Sequence, residues 1–118
     1  MPRPKKWRTV CCLPDRKRFG PLDTTEDVIG TVNMTVDEYE TIRLIDLEGL
    51  TQEECADQMD ISRTTVQGIY DEARRKLAES LVQGNVLQIE GGRYVLCDGK
   101  RDCWNKGHCR RRRRGNGL

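Results

Sequence analysis

From Thr35 the chain carries apolar side chains at Val36, Tyr39, Ile42, Leu44, Ile45 and Leu47. This wide stripe predicts a helix that packs on more than one neighbour. Thr35-Val-Asp-Glu38 reads as a capping box, in which the threonine side chain accepts from the Glu38 amide and Glu38 reaches back. Gly49 is placed to end that helix. A second capping box, Thr51-Gln-Glu-Glu54, predicts a short helix through Gln58 or Met59, and Asp60-Ile61 predict a tight turn. Ser62 caps a third helix, expected to reach Leu81 or Val82 before Gly84 stops it. Val66, Ile69, Ala73, Leu77 and Leu81 recur at three- and four-residue spacing and predict its core face.

Outside this middle the periodicity changes. Trp7 to Leu13 predict one short extended segment, and Val28 to Val32 a short strand. Val86-Leu-Gln-Ile-Glu90 and Arg93-Tyr-Val-Leu96 read as two strands joined by Gly91-Gly92, which predicts a β-hairpin. The expected fold is mainly α: a three-helix helix-turn-helix domain with a short C-terminal β-hairpin and flexible basic termini. The division expected is a basic, Pro-rich N-terminal arm over residues 1–22, the helix-turn-helix domain with its hairpin over 23–96, and a Cys/Arg-rich tail over 97–118.

Charge sharpens that division. The net charge is only +2, yet residues 1–20 hold seven Lys/Arg against one acid, and residues 21–60 hold one Arg against twelve acids. Residues 91–118 return to nine Lys/Arg against two acids. Two basic ends thus flank an acidic centre, a distribution that steers a polyanion toward the ends. No apolar stretch follows the basic start, and no run approaches the roughly 18 apolar residues of a membrane span. The expected location is the cytoplasm, without membrane contact, where six cysteines read as thiols or metal ligands rather than disulfides.

A helix-turn-helix needs a small residue where its helices cross, a turn residue that tolerates a left-handed backbone, and apolar side chains at fixed offsets. Ala56 and Asp60 meet the first two needs; Cys55, Met59, Ile61, Val66 and Ile69 meet the third. The first turn of the third helix would then face base edges in a DNA major groove. Arg63 suits guanine, Gln67 suits adenine, and Thr64 suits a thymine methyl or a phosphate. Ser62, Thr65, Arg74 and Arg75 are further DNA-contact candidates, and Thr51 and Gln52 can offer helix N-terminal amides to a phosphate. The other reading is a capped helical hairpin with a solvated charged face.

Leu50-Thr-Gln-Glu-Glu-Cys-Ala, Ile61-Ser-Arg-Thr-Thr-Val and Ala73-Arg-Arg-Lys-Leu resemble region 4 of bacterial sigma factors. Met1-Pro-Arg-Pro-Lys-Lys, Arg18-Phe-Gly-Pro, Asp37-Glu-Tyr-Glu-Thr-Ile-Arg-Leu and Ile89-Glu-Gly-Gly extend the likeness to an uncharacterised prokaryotic family that carries this sigma-like unit. The resemblance covers nearly the whole chain up to residue 97 and implies a DNA-binding protein, with no known operator or ligand.

Cys97, Cys103 and Cys109 are evenly spaced, with His108 beside the last and Cys11-Cys12 far upstream. Cys97, Cys103, His108 and Cys109 could hold zinc; three cysteines with Cys11 or Cys12 could hold zinc or an iron–sulfur cluster. None of the spacings is a CxxC pair, and the other reading is a disordered basic tail carrying reduced thiols. The single histidine and the lack of a nucleophile motif argue against an enzyme. The expected function is sequence-specific binding of double-stranded DNA by a homodimer in transcriptional regulation, open to metal or redox control and to RNA polymerase as a partner. The alternative is a metal- or iron–sulfur-binding accessory protein whose helix-turn-helix serves protein interaction.

Overall fold

A computed structural model of the chain describes residues 7–11, 13–24 and 30–96. Helix α1 spans Val36–Thr41 and continues as a π-helical segment over Ile42–Leu47. Helix α2 spans Gln52–Met59 and helix α3 Arg63–Gln83. The described residues also form five short strands: β1 (Arg8–Val10), β2 (Arg18–Phe19), β3 (Thr31–Met34), β4 (Val86–Ile89) and β5 (Tyr94–Leu96). Among the described residues no helix is long and apolar enough to cross a membrane.

Both capping boxes form as the sequence predicts. The Thr35 amide donates to Glu38 Oε1 at 2.9 Å, and the Glu38 amide donates to Thr35 Oγ1 at 3.4 Å. The continuation of α1 widens into a π turn, in which the Glu48 amide donates to the Arg43 carbonyl five residues back at 2.9 Å. Two successive side chains, Arg43 and Leu44, are buried in that turn.

The strands do not form the expected hairpin. β4 lies between β2, to which it runs antiparallel, and β3, to which it runs parallel. β5 leaves that sheet and pairs in parallel with β1, Arg8 opposite Tyr94 and Val10 opposite Leu96. Gly91 and Gly92, at φ 79° and 102°, turn the chain from one sheet to the other rather than back on itself. The Gly91 carbonyl accepts from the Val36 amide at 2.9 Å. A Cβ on Gly92 would sit 2.7 Å from Thr35 Cβ and closer still to Asp37 Oδ1, so the second glycine is required by close approach to α1.

The basic N-terminal arm expected over residues 1–22 contributes two strands. β1 and β2 complete the two sheets, and Val10 and Cys11 are buried. One apolar cluster joins Val10, Val32, Met34, Val36, Ala73, Leu87 and Ile89, with Tyr39, Ile42, Leu77 and Tyr94 packed against it. The other joins Leu44, Leu50, Cys55, Ala56, Met59 and Val66, with Ile45 and Ile61 at its edge. On α3 the predicted face holds through Leu77. Leu81, in the last turn of α3, is 82% exposed, while Tyr70 is buried instead.

Candidate nucleic-acid interface

Three local features aim α3. Asp60 closes α2 in the left-handed conformation, at φ 60° and ψ 44°, and its amide bonds back to the Ala56 and Asp57 carbonyls. Ser62 then opens α3: its hydroxyl accepts from the Thr65 amide at 3.1 Å and meets Thr65 Oγ1 at 2.8 Å. Beneath the turn, Ala56, Met59 and Val66 are buried together, so α2 and α3 pack at close range. Cys55 lies in the same cluster, and burial, with the nearby Glu40 charge, pushes its thiol up to about 12. It is therefore an inert packing group at neutral pH.

The solvent side of this unit gathers most of the sequence-predicted contacts. Arg63, Thr64 and Gln67 are exposed. Counting about 100° per residue, Gln67 and Arg74 fall within roughly 40° of Arg63 on α3, and Thr64 about 100° away. Thr51, Gln52, Glu53, Arg63 and Gln67 line one shallow open depression between the start of α2 and the first half of α3. The Thr51 amide is already taken by Glu54 Oε1 at 2.9 Å, and the Thr51 hydroxyl accepts from the Glu54 amide at 3.1 Å. The donors that α2 itself cannot satisfy are thus the Gln52 and Glu53 amides. The Ser62 and Thr65 hydroxyls meet each other and so also hold the helix start.

Arg74 and Arg75 separate. The Arg74 guanidinium lies 5.4 Å over the Tyr70 ring, and the Tyr70 hydroxyl donates to Asp46 Oδ1 at 2.7 Å. That bond to a carboxylate raises the Tyr70 pKa, since ionisation would set two negative charges side by side. Arg75 lies about 120° around α3 from Arg63 and pairs with Glu72 at 2.6 Å and Glu79 at 3.0 Å. Arg74 joins the strip of Arg63 and Gln67; Arg75 belongs to a self-neutralised flank. Tyr70 and Asp46 were missed from sequence, although Tyr70 and Arg74 stand four residues apart on one helix.

A second buried network backs the unit. Glu40 receives Arg43 Nε and Nη2, each at 2.9 Å, and Arg43 Nη1 reaches Glu48 Oε2 at 3.4 Å. Burial alone would lower the Arg43 pKa, but its bonds to Glu40 and the surrounding negative charge outweigh that and raise it. The Cys11 amide donates to the same Glu40 carboxylate at 3.1 Å, tying the end of β1 to the π turn. Of the predicted metal ligands only Cys11 falls within the described residues; Cys12, Cys97, Cys103, His108 and Cys109 lie outside them, as does the arginine run. Among the described residues no three His, Cys, Asp or Glu side chains are grouped as a metal site requires.

Residues 1–97 match the family described as "Protein of unknown function DUF134". The chain is 68% identical over 114 residues to a UPF0251 protein of Desulfitobacterium hafniense (strain Y51), covering 97% of this chain and 91% of that one. A UPF0251 protein of Caldicellulosiruptor bescii is 49% identical over 107 residues, covering 91% of this chain and 74% of its own. Another, of Caldanaerobacter subterraneus subsp. tengcongensis, is 49% identical over 96 residues, 81% of each chain. No solved structure matches significantly. The chain belongs to the DUF134, or UPF0251, family of uncharacterised proteins.

Proposed function

We propose that this protein binds double-stranded DNA through a sigma-like helix-turn-helix made of α2 and α3, and regulates transcription. The observation that carries the reading is the exposed strip of Arg63, Gln67 and Arg74 on α3, beside the start of α2 and aimed by the left-handed Asp60 turn. Arg63 has the donor pair for guanine O6 and N7, and Gln67 the donor and acceptor for adenine. The Gln52 and Glu53 amides set the register on a phosphate, and Arg74, held over Tyr70, meets a second one. Glu53 lines the same depression, so the phosphate must sit over the helix axis, away from that carboxylate.

A homodimer belongs to this reading. A single recognition helix reads few base pairs, and two would engage half-sites about 34–36 Å apart. The arginine run Arg110 to Arg114 adds sequence-independent affinity, so deleting residues 110–118 flattens the salt dependence of binding. The deciding experiment selects bound sequences from random duplex DNA and measures the winner against Arg63→Ala. The variant should lose much more affinity for the selected sequence than for random DNA. Failure to enrich any sequence overturns the proposal.

A further inference from the structure

Several charged side chains of the described fold are held by one another: Glu38 by Lys76, Glu40 and Glu48 by Arg43, Glu72 and Glu79 by Arg75. Asp37, in the first turn of α1, is not held in this way. Its side chain is only 9% exposed, and Oδ1 accepts no hydrogen bond among the described residues. Oδ2 faces Arg8 Nε at 3.7 Å, beyond hydrogen-bond reach, and that nitrogen donates to no described residue either. A buried acceptor left in this state carries its desolvation cost without return.

Asp37 and Arg8 line an open cleft of about 430 Å³ between β1, the start of α1, the Gly91-Gly92 turn and α3. Arg93 adds a second, exposed guanidinium to it. On the α3 side the wall is made by Gly68 and the half-buried Ile69. Gly68 lies well inside the 21-residue helix, where glycine costs stability relative to alanine. Packing does not call for it, since a Cβ there would meet nothing within 4 Å beyond its own helix backbone. Its effect is to keep that wall of the cleft low.

The other acids at the cleft, Glu38 and Glu72, are taken by Lys76 and Arg75. Among the described residues no three ligating side chains are grouped as a metal ion requires. The unspent groups are therefore one carboxylate and two guanidiniums, with opposite charges side by side. An α-amino acid matches that set, because its ammonium and carboxylate share one carbon and lie as close together as Asp37 and Arg8. A carboxylate also suits the forked donors of arginine, and the cleft is of the size that takes a small molecule.

We propose that this cleft binds a free α-amino acid, with the carboxylate on Arg8 and Arg93, the ammonium on Asp37, and the side chain over Gly68 and Ile69. None of Arg63, Gln67 and Arg74 lines it, and the site does not depend on DNA binding.

Calorimetric titration of the full chain with each of the common L-α-amino acids tests the site without DNA. At least one amino acid should saturate a single site in the millimolar range or below. Its methyl ester, which lacks the carboxylate charge, and its N-acetyl derivative, which lacks the ammonium, should each bind at least ~10-fold more weakly, the scale of one charge-assisted hydrogen bond. Asp37→Asn keeps the shape, removes the charge, and should weaken binding by ~10-fold or more. Gly68→Leu fills the low wall and should abolish binding. Because Asp37 is buried, circular dichroism of its variant accompanies the titration. Gly68→Leu starts its side chain in open space and favours the helix, so its unfolding midpoint should not fall. No saturable binding of any amino acid, equal affinity for either blocked derivative, or undiminished binding by Gly68→Leu or by a folded Asp37→Asn would each overturn the proposal.

Discussion

The two apolar clusters are recruited from the chain in opposite ways. Leu44, Leu50, Cys55, Ala56, Met59 and Val66 come from one continuous stretch around α2 and the start of α3. Val10, Val32, Met34, Val36, Ala73, Leu87 and Ile89 come from strands and helices spread over nearly all the described residues. The first cluster shapes the proposed reading head and the second the platform beneath it. A local cluster needs little loop closure and can be encoded by helix periodicity and caps; a dispersed one must close long loops before its contacts form. The head is therefore encoded locally, and the platform by contacts between distant parts of the chain.

The largest expected effect falls where the two regions join. Arg43→Ala would leave the buried Glu40 without its cation and take away the cation beside the half-buried Glu48, and should cost about 3–5 kcal/mol in urea unfolding. A cost below about 1 kcal/mol would mean that the network is not what links β1 to the π turn. Met59→Ala in the head and Met34→Ala in the platform should each cost roughly 2–5 kcal/mol, as both side chains are fully enclosed. Because α3 contributes Val66 to one cluster and Ala73 to the other, each variant should keep a single transition with an unchanged slope. A biphasic transition in either would divide the molecule into two units.

Arg63→Ala should separate function from stability: about 1–3 kcal/mol less binding to a selected sequence, with the unfolding midpoint in place because the side chain is exposed. Ser62→Ala should cost about 1 kcal/mol of stability through the lost Thr65 amide bond. The smallest effect is a titration. Tyr70 stays protonated to higher pH than an ordinary tyrosine, so the contribution of its bond to Asp46 is intact below about pH 10 and is lost as pH rises through the higher folded value. In Asp46→Asn the tyrosinate absorbance should appear at lower pH; an unchanged curve would show that Asp46 does not hold the phenol.

Legibility followed the same division. Thr35, Thr51, Asp60 and Ser62 announced the helix boundaries because capping and left-handed turns are satisfied within a few residues. The site residues Arg63, Thr64 and Gln67 followed from that frame. The strand partners did not, since Gly91-Gly92 has the composition of a hairpin turn and only the nearness of Thr35 and Asp37 shows that it serves a crossover. Arg75 misled because sequence shows its charge but not its pairing with Glu72 and Glu79. The bond from the Cys11 amide to Glu40 could not be read from sequence, because the two residues stand 29 positions apart.

The β1–β5 register also bears on how the protein is made. Emerging from a ribosome, the chain acquires every residue of the α2–α3 unit well before β5, whose residues are the last described. Until Tyr94 to Leu96 arrive, β1 lacks its one strand partner among the described residues, and Thr9 and Val10 lack the pairing of the finished fold. Synthesis thus separates two events in time: a local cluster whose residues come early and a closure that waits for β5. A chain arrested before residue 94 would carry α3 on a platform that lacks β5, and release of that strand would be the step that commits the described fold to its final stability.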